Sequence, residues 1–235
     1  MTTPLRVFIG FDKAEIAAYQ VCSYSIIKNA SHPVSIIPLN INYFPTFTNN
    51  DYKSSTQFAF TRFLVPWLSD YEGYSIFMDA DMLVRTDIHK MLDVIDGDIT
   101  RKVWVVQHDY KPNLQDKFLG AKQTDYTCKN WSSVMLFNNS ACNALTFDYV
   151  NKAKGLDLHQ FNWTLPDKIG KLPPTWNYLV GEDTENNPDA SIVHFTRGGP
   201  YFKEYEHCQY ADEWFKYHAE ANSVLDKKVV GGKNV

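Results

Sequence analysis

No stretch of this 235-residue chain is apolar for long enough to suggest a membrane span. The opening residues Met-Thr-Thr-Pro-Leu-Arg lead into a short strand without the apolar core of a secretory leader. Cysteine is scarce and scattered. Cys22, Cys128, Cys142 and Cys208 show no C-x-x-C spacing and read as free thiols of a reducing cytoplasm. A basic surplus is missing too: 23 Lys and Arg against 27 Asp and Glu give a net charge of −4, which argues against coating nucleic acid. That balance still leaves room for a local basic pocket that takes a phosphate. There is no glycine fingerprint of the dinucleotide type after the first strand, so a nicotinamide or flavin cofactor is not expected. Repeats, low-complexity tracts and linkers are also absent, and residues 1–235 read as one domain with a frayed tail at 228–235. What the chain does have is a soluble globular balance, 44% hydrophobic and 21% charged. Its aromatics are raised to 15%; saccharide-stacking surfaces use such residues, but most of them read as core.

The order of elements points to an α/β fold. Leu5–Ile9 reads as a strand ending at Gly10-Phe11-Asp12. Lys13–Asn29 follows as an amphipathic helix, with Ile16, Tyr19, Gln20, Ser23 and Ile27 marking helical spacing. Val34–Ile37 is a second strand, and the three elements make a right-handed βαβ unit. Ligands in such folds bind at the carboxyl ends of strands, where Gly10, Phe11 and Asp12 fall. Asn40–Thr56 reads as a loop able to order over ligand, and Gln57–Leu64 as a helix that stops at Pro66. Thr86–Ile95 is a short helix with Asp87 at its positive end. Val103–Gln107 and Ser132–Phe137 are strands, with an irregular stretch, Lys111–Lys129, between them. Ala141–Asn151 is a helix, Gly155–Leu179 a structured loop region, and Ala190–His194 a final buried strand. Glu204–Leu225 is a helix with Tyr205, Trp214, Phe215 and Ala219 inward.

Two stretches carry the chemistry. In Tyr74–Arg85, the apolar run Ile76-Phe77-Met78 ends in Asp79-Ala80-Asp81. Two carboxylates at the mouth of a buried strand repel, and burial adds to the cost of charging them. A hard divalent cation, Mg²⁺ or Mn²⁺, would relieve that cost. The spacing alone is weak, since Asp96-Gly97-Asp98 repeats it in an ordinary turn. The second stretch, Ile192-Val193-His194-Phe195-Thr196-Arg197-Gly198-Gly199-Pro200, places a histidine at the end of an apolar strand. The turn after it has glycines that expose N–H groups to an anion and carries Arg197 to pair with a phosphate.

The βαβ start, the Y-x-x-F-M-D-A-D strand and the later H-F-T-x-G-G-P turn together resemble the nucleotide-sugar glycosyltransferases of the GT-A fold. The relatives in view are the families containing glycogenin and the bacterial lipooligosaccharide galactosyltransferases. The resemblance covers about residues 5–205. It implies a single Rossmann-like domain with a mixed, mostly parallel sheet flanked by helices. It also implies transfer of a sugar from a nucleoside-diphosphate sugar, UDP-linked, to a hydroxyl acceptor such as a glycan. By the resemblance Asp79, Asp81 and His194 hold Mn²⁺ or Mg²⁺, with Ala80 between the acids at the donor. Phe8, Ile9, Gly10, Phe11 and Asp12 adjoin the base and ribose, and Arg62 approaches the donor. Trp131, Ser132 and Ser133 line the sugar, and Gln160 stands beside the anomeric carbon.

Three departures from the family pattern stand out. Gly199 occupies the place of the usual diphosphate lysine, leaving Arg197 or Lys203 to substitute. Trp131 and Ser133 replace an asparagine and a glycine. His159 and Phe161 replace the acids that flank Gln160. An inverting enzyme would need a carboxylate base, for which Asp157, Glu182 and Asp183 are candidates with Asp109 behind them. A retaining enzyme would not, and the relatives are retaining. The other readings are a nucleotidyltransferase making sugar nucleotides, whose glycine-rich signature G-F-D-K-A-E does not match, and an inactive carbohydrate-binding domain.

Overall fold

A computed structural model describes residues 3–49, 56, 58–109, 128–182 and 187–223. The Gln57 helix start, most of the stretch expected to be irregular from Lys111 on, part of the Asn40–Thr56 loop, candidate base Asp183 and the polar tail lie outside the described residues.

Strand β1 (Leu5–Gly10), helix α1 (Ile16–Asn29) and β2 (Val34–Leu39) form the expected parallel unit, with Leu5 opposite Val34 and Gly10 opposite Leu39. Asp12 caps the 3₁₀ turn Lys13–Glu15 that leads into α1. With β3 (Tyr74–Met78), β5 (Val103–Val105), β6 (Val134–Asn138) and β7 (Ile169–Lys171), they build a six-stranded sheet in the order β2-β1-β3-β6-β5-β7. Only β6 runs against its neighbours. Strands β1, β3, β5 and β6 are nearly all buried because both faces are covered, and alternate side chains enter two different cores. Val7, Ile9, Ile76, Met78, Val134 and Leu136 enter one, against Ala18, Cys22 and Ile26 of α1. Phe8, Phe77, Met135 and Phe137 enter the other, with Phe63, Leu64 and Val65. A smaller sheet, β4 (Met82–Val84), β9 (Ile192–His194) and β8 (Tyr178–Leu179), sits beside the first. Its core also takes Val21 of α1 and Trp214 and Tyr217 of α5 (Ala211–Ala221).

Several local expectations need correction. The inner face of α1 is Ala18, Val21, Cys22, Ser25 and Ile26, whereas Ile16 and Ile27 are 56% and 60% exposed. Ala18, Cys22 and Ile26 pack against the large sheet and Val21 against the small one, so Ile16 and Ile27 marked the wrong stripe. Pro66 does not stop a helix. It sits in the first turn of α2 (Val65–Leu68), where its missing N–H has no partner to lose. The helix expected at Ala141–Asn151 is only α3 (Phe147–Lys152), started by Thr146 accepting from the Tyr149 N–H. The segment read as loop, Gly155–Leu179, supplies α4 (Gly155–His159), β7 and β8. Strand β7 escaped pattern reading because its middle residue is Gly170, where a Cβ would lie 2.2 Å from the Trp104 ring. At the other end, α5 begins at Ala211, seven residues later than expected, and Phe215 is 42% exposed.

Candidate active site

The two sheets meet where the chain leaves β3. The Asp79 N–H donates to the Ser133 carbonyl at 2.9 Å, Ala80 turns into the core, and β4 begins at Met82 in the second sheet. There Met82 pairs with His194, and the Phe195 N–H donates to the Asp81 carbonyl at 2.9 Å. Antiparallel pairing of β4 with β9 therefore brings residues 113 positions apart to one spot. One oxygen each of Asp79 and Asp81 and one ring nitrogen of His194 lie within 4.8 Å of one another. His194 Nε2 is 3.4 Å from Asp81 Oδ1. Two carboxylates and an imidazole form a donor set suited to Mn²⁺ or another divalent ion with mixed oxygen and nitrogen preference. Among the described residues this is the one such cluster. The competing Asp96-Gly97-Asp98 is the turn it looked like, with Asp98 held by Thr100 and Arg101.

Arg62 reaches the cluster from the 3₁₀ turn Thr61–Leu64. Its Nη2 is 3.1 Å from Asp79 Oδ1, and Nη1 donates to the Ser132 carbonyl at 2.9 Å. The guanidinium lies 4.9 Å from the Phe77 ring centre and 5.3 Å from that of Phe58, and Arg62 is buried. Its first partner is thus a metal-site acid.

A further carboxylate, not foreseen from the sequence, faces the same space. Glu15 is buried at the start of α1, and its Oε1 accepts from the Tyr201 hydroxyl at 3.1 Å. Burial, the Asp81 carboxylate and then Asp12 and Asp79 push it up to about 7, against the opposing bond from Tyr201. Between an ordinary 4.5 in the unfolded chain and about 7 in the folded one, the native state holds the extra proton, so stability falls as pH rises through that window. The contribution is complete below pH 4.5 and lost above 7, on the order of 3 kcal/mol in all. Glu15→Gln keeps an acceptor for Tyr201 and cannot ionise. Urea unfolding in chelator at pH 5 and pH 8 should therefore show the variant gaining stability relative to wild type as pH rises, and a difference that does not change with pH would locate the titration elsewhere.

The first-strand residues divide by role. Phe8 and Ile9 send their side chains into the two cores, and Gly10 is a glycine because Phe58 leaves only 2.4 Å for a Cβ. Phe11 packs edge-on to Tyr19, and Asp12 Oδ1 accepts from the Ala14 N–H. Across the site, Trp131 donates from its indole to the His108 carbonyl at 3.2 Å, and Ser132 Oγ lies 2.7 Å from His159 Nδ1. Burial and the neighbouring His194 push His108 down to about 4. Gln160 caps α4, and Asp157 in its first turn accepts from Asn162 Nδ2 at 3.0 Å. Asp109 is exposed.

The glycine turn is not the open cradle that its composition suggested. The Gly198 N–H donates to the Phe195 carbonyl at 2.8 Å, and the Gly199 N–H approaches the Tyr201 hydroxyl. These residues are glycines because aromatic rings lie against them. A Cβ would meet Tyr205 at 2.5 Å from Gly198, where φ is +130°, and Tyr201 at 2.1 Å from Gly199. Arg197 is half-buried and packs by Gly181, and Lys203 is exposed. A second cation, absent from the sequence reading, is buried nearby: Lys129 Nζ lies 3.9 Å from Glu182 Oε1. The other missed residue is Asn177, fully buried with Oδ1 2.9 Å from His194 Nδ1.

No protein-family model matches the chain. Among solved structures, the bifunctional glycosyltransferase WbbM superposes with a TM-score of 0.66 at 16% identity, covering 98% of this chain and 52% of its own. The Streptococcus pneumoniae glycosyltransferase GlyE gives 0.63 at 16% identity, over 97% and 62%. The galactosyltransferase LgtC, solved with donor and acceptor sugar analogs, gives 0.58 at 13% identity, over 96% and 99%. The chain thus spans about half of WbbM and under two thirds of GlyE, and at these identities the likeness establishes the fold. Protein CDI of Arabidopsis thaliana is 39% identical over 240 residues, covering 98% of this chain and 92% of the relative. On that identity, along nearly the whole of both proteins, this chain belongs to the family of Arabidopsis Protein CDI, and its architecture is the GT-A fold of glycosyltransferases.

Proposed function

We propose that this protein is a divalent-metal-dependent glycosyltransferase that moves a sugar from a nucleoside-diphosphate sugar, UDP-linked, to a hydroxyl of a glycan acceptor. The observation that carries the reading is the Asp79, Asp81 and His194 cluster at the carboxyl end of β3. This is where open α/β sheets bind ligands, in a fold that LgtC uses with sugar donor and acceptor analogs. When bound there, Mn²⁺ or Mg²⁺ supplies the Lewis-acid charge that a departing diphosphate needs. Asp79 and Asp81 offer the hard oxygen ligands, His194 the nitrogen, and Arg62 holds Asp79 in place from the buried side. The Phe8–Asp12 strand end is the reading for the base and ribose, and Trp131, Ser132, Ser133 and Gln160 for the sugar. Arg197 and Lys203 stand for the diphosphate.

Retention is favoured over inversion because the relatives this chain resembles are retaining. Of the bases that inversion would need, Asp157 accepts from Asn162, Glu182 faces Lys129, Asp109 is exposed and Asp183 lies outside the described residues. The free thiols, with Cys22 and Cys142 buried, support a cytoplasmic placement, and no described helix is long and apolar enough to cross a membrane.

The test is thermal melting with Mn²⁺ and UDP together. At about 100 times the dissociation constant the complex should gain about 2.7 kcal/mol. For a chain of this size that is roughly 5–10 °C. A panel of nucleotide sugars then identifies the donor by Mn²⁺-dependent hydrolysis, and NMR of the product anomer separates retention from inversion. No shift with either Mn²⁺ or Mg²⁺ plus UDP would overturn the reading.

A further inference from the structure

Asn177 closes the 3₁₀ turn Pro174–Asn177 just before β8 and has no exposed surface. The orientation of its amide follows from its neighbours. One side lies 3.2 Å from the Asn130 carbonyl oxygen, which can only accept, so that side must be the amino group. The second N–H goes to Ser133 Oγ at 2.9 Å, and the Ser133 hydroxyl donates to the same Asn130 oxygen at 2.6 Å. The amide oxygen is left facing His194 Nδ1 at 2.9 Å. That oxygen is also an acceptor only, so Nδ1 carries a proton whether the ring is neutral or charged. In the neutral ring His194 Nε2 then turns its lone pair toward Asp81 Oδ1 at 3.4 Å. Two lone pairs facing each other at that distance repel unless a proton or a metal ion lies between them.

We propose that Asn177 is the positioning residue of the metal centre, fixing the His194 tautomer so that Nε2 is bare and aimed at the ion shared with Asp81. The proposal rests on the metal reading above and adds the residue that makes the histidine a ligand. An amide suits the role because it orients the ring without adding charge to a space already holding Asp79, Asp81 and Glu15. Groups behind metal-bound histidines act this way generally, and losing one weakens metal binding by about 10- to 100-fold.

Two measurements test it, neither requiring turnover. In the metal-free wild-type protein, long-range ¹H–¹⁵N correlation of the His194 ring should show Nδ1 protonated throughout the titration and, in the neutral ring, an unprotonated Nε2. A neutral ring with its proton on Nε2 would overturn the assignment. Mn²⁺ alone, followed by the loss of its free EPR signal, then separates orientation from packing. Asn177→Leu fills the volume without an acceptor and should weaken Mn²⁺ by about 10- to 100-fold. Asn177→Asp restores the acceptor and should bind Mn²⁺ more tightly than the leucine variant at pH 8, since carboxylates also serve behind liganding histidines. A purely structural role predicts the reverse order, because the aspartate buries a charge against the Asn130 carbonyl. Wild-type affinity in the leucine variant, or weaker binding by the aspartate than by the leucine, sinks the proposal. If the leucine variant does not fold, the tautomer and the aspartate variant still decide it. If wild type binds no Mn²⁺ at all, the metal reading fails, while the tautomer measurement continues to judge Asn177.

Discussion

Asp81→Asn should lower metal-dependent donor turnover by about 10²- to 10³-fold while leaving the folded structure intact. The carboxylate contributes a charge to the cluster, but the contact that joins the two sheets at this residue is the main-chain bond from Phe195 to its carbonyl. That bond does not involve the side chain. In the absence of metal the substitution also removes the largest of the charges that raise Glu15, so the apo variant should melt no lower than wild type at pH 8. The check is a Mn²⁺ titration of donor hydrolysis beside a melting curve in chelator. Wild-type rates would remove Asp81 from the metal site. A collapse of the melting temperature would make its role structural.

The opposite pattern is expected for Arg62→Leu. The guanidinium is buried, paired with Asp79, bonded to the Ser132 carbonyl and flanked by Phe58 and Phe77. Truncating it leaves the Asp79 charge with less compensation in a low-dielectric setting, an effect of about 3–5 kcal/mol when a buried pair is broken. The melting temperature should fall by roughly 10 °C or more. Removing the charge on the other side as well, in Arg62→Leu/Asp79→Asn, should recover a substantial part of the loss, because the cost lies in the stranded carboxylate and not in the leucine. Denaturant unfolding of the two single variants and the double variant measures the coupling. Strictly additive losses would mean that the pair is not energetically linked.

The parts of this molecule that sequence pattern exposed are those in which one physical signal dominates. Two-sided burial makes β1, β3 and β6 read as apolar runs, and the D-A-D motif declares itself by interrupting one of them. The histidine was legible for the same reason, at the end of Ile192–His194. Where two requirements compete, the pattern misled. The inner stripe of α1 mixes Ala18, Cys22 and Ser25 with Val21 and Ile26 while two isoleucines face outward, and β7 carries a glycine to admit Trp104. Gly198 and Gly199 were read as openings for an anion when their missing side chains make room for Tyr205 and Tyr201. Glu15, Asn177 and Lys129 were illegible for a different reason. An acid near a helix start, an asparagine in a proline turn and a lysine before a strand are common on surfaces. Only tertiary burial, which no local spacing encodes, gives them roles.

Asn130 to Ser133 touches both halves of the metal cluster. Asp79 leans on this turn through the Ser133 carbonyl and, by way of Arg62, the Ser132 carbonyl. His194 leans on it through Asn177. Asn130 holds the left-handed conformation that starts the turn, at φ 62°. A single brace under two ligands makes ion and neighbouring occupant thermodynamic partners. Whatever factor a molecule settling against residues 130–133 applies to ion affinity, the ion must return to that molecule in full. Substitutions in this turn will therefore register as changes in metal retention, although no atom of the turn belongs to the coordinating set.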